Sequence, residues 1–139
     1  MSKMGVRHLV KTVKVVAAII IKNNQVLIAQ RSGGEFDNFW EFPGGKIENG
    51  ESEDIALQRE INEELNISIS IDEHLMTIEY AYSNFDLVMD CYICSTSESI
   101  QSLSVHKSIK WICLQDNFDL FKWVPADEQI VQRLKEKYK

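Results

Sequence analysis

Residues Gly44–Ile67 read GGKIENGESEDIALQREINEELNI, and the placement of their glutamates governs how the rest of the chain is read. Pro43 and the glycines at 44, 45 and 50 break regular structure ahead of Glu51. From Ser52 to Leu65 the pattern becomes helical: Ala56, Leu57, Ile61 and Leu65 recur on one side, while Glu and Arg hold the other. Glu60, Glu63 and Glu64 stand at i, i+3 and i+4, so their carboxylates leave one helical face together. Like charges at that spacing destabilise an isolated helix by about 0.2–0.5 kcal/mol per pair. A bound hard cation with oxygen ligands offsets this, and Mg²⁺ leaves positions open for water and substrate phosphates. The competing reading is a solvated acidic face with no ligand. Arg59 is spaced to hold Glu51 of the preceding loop through a bidentate fork, fixing loop to helix.

Working outward, Val13–Lys22 (VKVVAAIIIK) is β-branched and nearly continuous, the signature of a strand covered on both faces. Asn23-Asn24 tolerates positive φ and turns the chain into a second strand, QVLIAQ. SGGEFDN follows as a polar loop, and FWEFPGGKIENGES is expected to be irregular. After the helix, strands are expected over about 75–82, 85–94 and 109–114, with Ser83-Asn84 as the first turn. A last amphipathic helix starts near Pro125-Ala126-Asp127 and carries Ile130, Val131 and Leu134 inward. Strands, helix, strands, helix predict an α/β fold, a mixed sheet sandwiched between helices. With 139 residues and no linker or repeat, one domain spanning 1–139 is expected.

Composition excludes several functions. A net charge of −6 repels polyanions, so a nucleic-acid polymer is not the expected partner. No apolar run approaches the ~20 residues of a membrane span, and MSKMGVRHLVKT lacks a signal-peptide core, so a cytoplasmic location is expected. Cys91 and Cys94 form a C-x-x-C pair, but on a strand residues three apart face opposite sides. They are read as small half-buried apolar residues, neither a redox pair nor a zinc site.

Counted from Gly45, the chain shows five residues, Glu51, seven residues, then Arg59-Glu60-Ile61-x-Glu63-Glu64-x-x-Ile67. This resembles the Nudix box, G-x5-E-x7-R-E-U-x-E-E-x-G-U with U a bulky aliphatic. Asn66 stands where the family has Gly. It follows the helix end, where Asn is the next best residue for a left-handed conformation. The resemblance implies an α/β/α sandwich and a Mg²⁺-dependent hydrolase of diphosphate linkages, with Mn²⁺ as a substitute. It implies that Glu60, Glu63 and Glu64, with a backbone carbonyl near Gly44, hold the metal, and that Arg59 and Glu51 belong to the catalytic unit.

WEFPGGKIE, AQR and WVPADEQIVQRL resemble the MutT-like branch. That resemblance implies hydrolysis of a nucleoside triphosphate to monophosphate and pyrophosphate, a role in sanitising the nucleotide pool, and a monomer or homodimer. It points to Arg31 and Lys46 as phosphate contacts, against the alternative of ordinary surface cations. It also sets Asp127 against the base, where the alternative is a residue serving the start of the last helix. Ionised, Asp127 only accepts hydrogen bonds, which favours cytosine or guanine, natural or damaged, over uracil or thymine. Trp40 and Phe36 are either base platforms or core.

Val105 stands where the branch often carries a Glu proposed as catalytic base. That leaves the role to Glu63 or Glu64, or to His106, whose alternative is a surface residue. Tyr80 and Tyr82 lie where dinucleoside polyphosphate hydrolases carry a Tyr, and strand alternation explains them equally. Competing functions are hydrolysis of ADP-ribose or a dinucleoside polyphosphate, and nucleotide sensing without turnover.

Overall fold

The computed structural model describes residues 10–139; the expectation about the N-terminal stretch falls mostly on residues 1–9, outside them. The central strand is β1 (Lys11–Lys22). Its Val16–Ile20 segment is buried on both faces, as an unbroken β-branched run requires. Asn23 and Asn24 both take positive φ, 53° and 61°, giving a tight hairpin into β2 (Gln25–Arg31). Two short strands follow, β3 (Trp40–Glu41) and β4 (Gly44–Lys46), where the sequence reading expected irregular chain. Neighbouring backbone decides this: Gly44 and Gly45 pair with Ala17 and Val16, and the Ala18 N–H donates to the Pro43 carbonyl at 2.8 Å. A Cβ on Gly44 would overlap the Val16 carbonyl, so only glycine lets β4 lie this close.

Helix α1 (Glu53–Leu65) is capped by the Ser52 hydroxyl, which accepts from the Ile55 N–H at 3.3 Å. It ends at Asn66 in the left-handed region, φ 55°, whose N–H returns to the Asn62 carbonyl. Strands β5 (Ser70–Ala81), β6 (Phe85–Ser95) and β7 (His106–Cys113) come next, then a 3-10 turn at Pro125–Asp127 and helix α2 (Glu128–Lys137). β5 begins five residues before its expected start, because register shifts at Ile71/Glu73 and His74/Met76 interrupt its alternation.

The sheet is mixed. β1 runs parallel to β6 from Lys11–Phe85 to Ile20–Cys94, and β5 closes that edge antiparallel to β6. On its other side β1 meets β4 over Val15–Ala17 and β2 at Ile21 and Lys22. β2 also carries β3 and β7. Alternate residues of β1 feed two cores. Val16, Ala18 and Ile20 pack under α1 with Leu57, Ile61 and Leu65, whereas Ala17 and Ile19 pack with Ile130, Val131 and Leu134 of α2. This is the expected α/β/α sandwich. Cys91 belongs to the α2 side and Cys94 to the α1 side, so the thiols do not meet, and burial pushes both thiols' pKa up. No helix among the described residues is long and apolar enough to cross a membrane.

Candidate active site

Arg59 organises the acidic face of α1. Its Nε and Nη2 take both oxygens of Glu51, at 2.6 and 2.9 Å, and Nη2 also donates to the Lys46 carbonyl at 3.0 Å. Nη1 reaches Glu60 at 3.0 Å and Glu63 at 3.2 Å. The guanidinium therefore ties the glycine loop to the helix and gathers two glutamates of the next turn. Glu51 also accepts from the Glu48 N–H, and Arg59 first, with that amide second, holds its carboxyl down at about 2.

Glu64 behaves differently. It is buried, and desolvation first, then the neighbouring Glu60 carboxyl and the charge of Glu41, push its pKa far above the ordinary range. The Gly44 backbone works the other way. Glu64 Oε1 is enclosed without a hydrogen bond among the described residues. A Cβ on Gly45 would fill the space the Glu60 carboxyl occupies, so the glycine admits that carboxyl beneath the loop. As they stand, no three His, Cys, Asp or Glu side chains among the described residues enclose a common point for a metal ion. Arg59 draws Glu60 and Glu63 to itself, while Glu64 turns inward.

His106, at the start of β7, is buried rather than on the surface. Its Nε2 lies 2.9 Å from Glu41 Oε2, and Glu41 Oε1 accepts from Arg31 at 3.0 Å. Its Nδ1 is unpartnered among the described residues and 3.8 Å from Glu64 Oε1. Arg31, Glu41, Gly44, Glu64, Val105 and His106 line a small cavity of about 220 Å³. A second cavity of about 360 Å³ shares Arg31, Glu41 and Gly44 and is otherwise largely apolar, walled by Val15, Phe36, Phe85, Leu87 and Met89. Glu35, Tyr82 and Asp127 are the other polar residues on its wall. Asp127 occupies the start of α2, yet its side chain caps nothing there; Oδ2 accepts from the Phe42 N–H at 2.9 Å. Burial, then the charge of Glu41, raises its carboxyl's pKa well above the usual value, which disfavours the ionised form on which the base preference read from sequence depends.

The model of the NUDIX domain matches residues 11–134. The chain belongs to the Nudix family of hydrolases. Among curated relatives, the CTP pyrophosphohydrolase of Escherichia coli is 29% identical over 123 residues, covering 88% of this chain and 90% of that one. The 8-oxo-dGTP diphosphatase of Proteus vulgaris is 34% identical over 85 residues, 60% of this chain and 76% of that one. Among solved structures, the MutT protein of Methanosarcina mazei superposes with a TM-score of 0.82, covering 94% of this chain and 97% of that one. At 18% identity it speaks for the fold alone.

Within this Nudix hydrolase the residues singled out from sequence divide clearly. Glu51, Arg59, Glu60, Glu63, Glu64 and Gly44 form one cluster, and Arg31, Phe36 and Asp127 line the adjoining cavity. Trp40 does not: it is buried edge-on against Phe121 at 5.4 Å and belongs to the core. The Lys46 side chain is exposed and lines neither cavity, and only its carbonyl is engaged, by Arg59. Glu41 was missed. Its signal was a lone acid inside WEFPGG, between residues bound for the core, where a carboxylate needs partners to be tolerated.

Proposed function

We propose that this chain hydrolyses a nucleoside triphosphate of the cytosine or guanine type, natural or oxidised, to the monophosphate and pyrophosphate, with Mg²⁺ as cofactor and Mn²⁺ as a substitute. The observation that carries the reading is the buried Glu64 beside Glu60, its Oε1 without a hydrogen bond among the described residues, on the wall of a polar cavity that adjoins an apolar one through Arg31, Glu41 and Gly44. Two adjacent carboxyls in a desolvated place cannot both ionise unless a cation joins them. The residues present fit such an ion: hard oxygen donors, one of them orphaned, and a glycine loop with no side chain in the way.

Glu60, Glu63 and Glu64, with the Gly44 carbonyl, would hold the metal. Bound there, a divalent cation polarises a phosphoryl oxygen and lowers the pKa of the attacking water. Arg59 and Glu51 keep the loop and the helix at fixed separation, so that water, phosphorus and leaving oxygen stay aligned. Arg31, partnered by Glu41 at the join of the two cavities, meets the phosphates. Water adds to phosphorus as the bridging P–O bond breaks, and the water's proton passes to Glu63, Glu64 or His106, since Val105 cannot take it. The apolar cavity houses the base. There Asp127, ionised once an amino group donates to it, favours cytosine or guanine. The relatives named for CTP and 8-oxo-dGTP are consistent with that pair of bases.

The test is a panel of natural and oxidised nucleoside triphosphates with Mg²⁺, products resolved as monophosphate plus pyrophosphate or as phosphate. Turnover of a cytosine or guanine nucleotide to pyrophosphate supports the reading. Release of orthophosphate, or turnover only of ADP-ribose or a dinucleoside polyphosphate, replaces it, and binding without turnover makes the chain a sensor.

A further inference from the structure

We propose that the hydroxyl of Tyr82 is a specificity-determining donor that reads a ring carbonyl of the base and so disfavours adenine; this rests on the nucleotide reading above. Tyr82 follows β5, and its N–H donates to the Phe85 carbonyl at 2.9 Å, which closes the β5–β6 turn. Its ring is held on three sides, with Tyr80 at 4.6 Å, Phe85 near-parallel at 5.1 Å and Phe36 at 5.9 Å between centroids. The ring cannot swing away without dismantling that cluster.

The hydroxyl oxygen accepts from the Ala126 N–H at 3.1 Å. A phenol has one proton, and here that proton is given to no described residue. The amide occupies one side of the oxygen, so the O–H is free to donate into the cavity that Tyr82 lines. Burial raises the phenol's pKa, which keeps that proton in place. The next residue along from Ala126 is Asp127, already oriented by the Phe42 N–H. The other polar side chains lining the cavity are Glu35 on the loop and the Arg31–Glu41 pair, which sits where the two cavities join. The base end thus presents one donor, Tyr82, beside Asp127, an acceptor once an amino group draws it into its ionised form.

The two select in complementary ways. Asp127 favours a base whose amino or ring N–H donor is not flanked by carbonyls on both sides, as that of uracil and thymine is, and Tyr82 favours one with a carbonyl. Cytosine and guanine offer both on one edge. Adenine has no carbonyl and offers the hydroxyl only ring nitrogens, set back by a bond length from where a carbonyl oxygen would lie, so the Tyr82 proton is paired less well.

Two measurements test this. On wild type, ITP and ATP differ at the 6-position by carbonyl against amino, and ITP should show at least about tenfold higher kcat/KM. In Tyr82→Phe, kcat/KM for the best carbonyl-bearing nucleotide should fall about tenfold while that for ATP stays level, so the preference ratio collapses. The ratio is taken on one preparation and does not depend on the fraction folded, so loss of the Ala126 contact does not mimic the effect. Equal turnover of ITP and ATP by wild type, or an unaltered ratio in Tyr82→Phe, overturns the inference while leaving the hydrolase reading intact. A wild type that turns over no nucleotide overturns both.

Discussion

His106 Nδ1 and Glu64 Oε1 face each other at 3.8 Å, both enclosed and both without a hydrogen bond among the described residues. Through Nε2 the same imidazole holds Glu41, so it bridges the Arg31–Glu41 pair and the acidic helix. His106→Gln keeps an amide at the reach of Nε2, able to donate to Glu41, but removes the ring nitrogen facing Glu64. Steady-state kinetics should show kcat lowered by about 10²-fold with KM little changed, the scale of losing a proton-handling or positioning group. An unchanged kcat would reduce His106 to filling space.

Arg59→Ala should disorder Glu51 and the glycine loop together, because one guanidinium holds both. The expected signature is a lower Tm together with a lower kcat. A rise in KM alone at unchanged Tm would instead make Arg59 a substrate contact.

Chelation should abolish hydrolysis, and Mg²⁺ or Mn²⁺ should restore it. Glu64 adds a pH signature. Its folded pKa is raised, so without metal the folded state holds a proton that the unfolded chain has released. Stability then falls as pH rises above the ordinary carboxylate range toward the raised value. A cation replaces that proton, so the Mg²⁺-induced rise in Tm should grow with pH, and thermal melts with EDTA or Mg²⁺ across that range measure it. A pH-independent increment would place the ion elsewhere. Glu63→Gln and Glu64→Gln should each cost at least about 10²-fold in kcat.

Asp127→Asn separates burial cost from base recognition. The wild-type carboxyl is raised by burial, so it destabilises the fold as pH climbs from its usual 3.8 toward the raised value. The amide carries no such cost, and its oxygen can still accept from Phe42. Its Tm should exceed wild type at neutral pH, and the gap should close in acid. Discrimination against uracil and thymine nucleotides should shrink in the same variant, because an amide also donates. Equal melts at neutral pH would show that the carboxyl is already relieved.

Much of this molecule was readable along the chain, and the reason is locality. Ser52, Asn66, the Asn23-Asn24 turn and the i, i+3, i+4 glutamates act within a few residues, so spacing alone determines helix ends, hairpin and acidic face. The bidentate Arg59–Glu51 clamp also follows from spacing, since one helix and its preceding loop carry both partners. Contacts between distant segments could not be read this way. β3 and β4 exist because β1 and β2 accept them, and bulges hid the first turns of β5. His106 and Glu41 are 65 residues apart, and Asp127 and Phe42 are 85 apart. Whether His106 is buried, whether Trp40 faces the core or the cavity, and whether Asp127 serves its helix or its pocket depend on what packs against them. Only the folded sheet and the two helices among the described residues supply those neighbours, together with the desolvation that raises the Glu64 and Asp127 carboxyls.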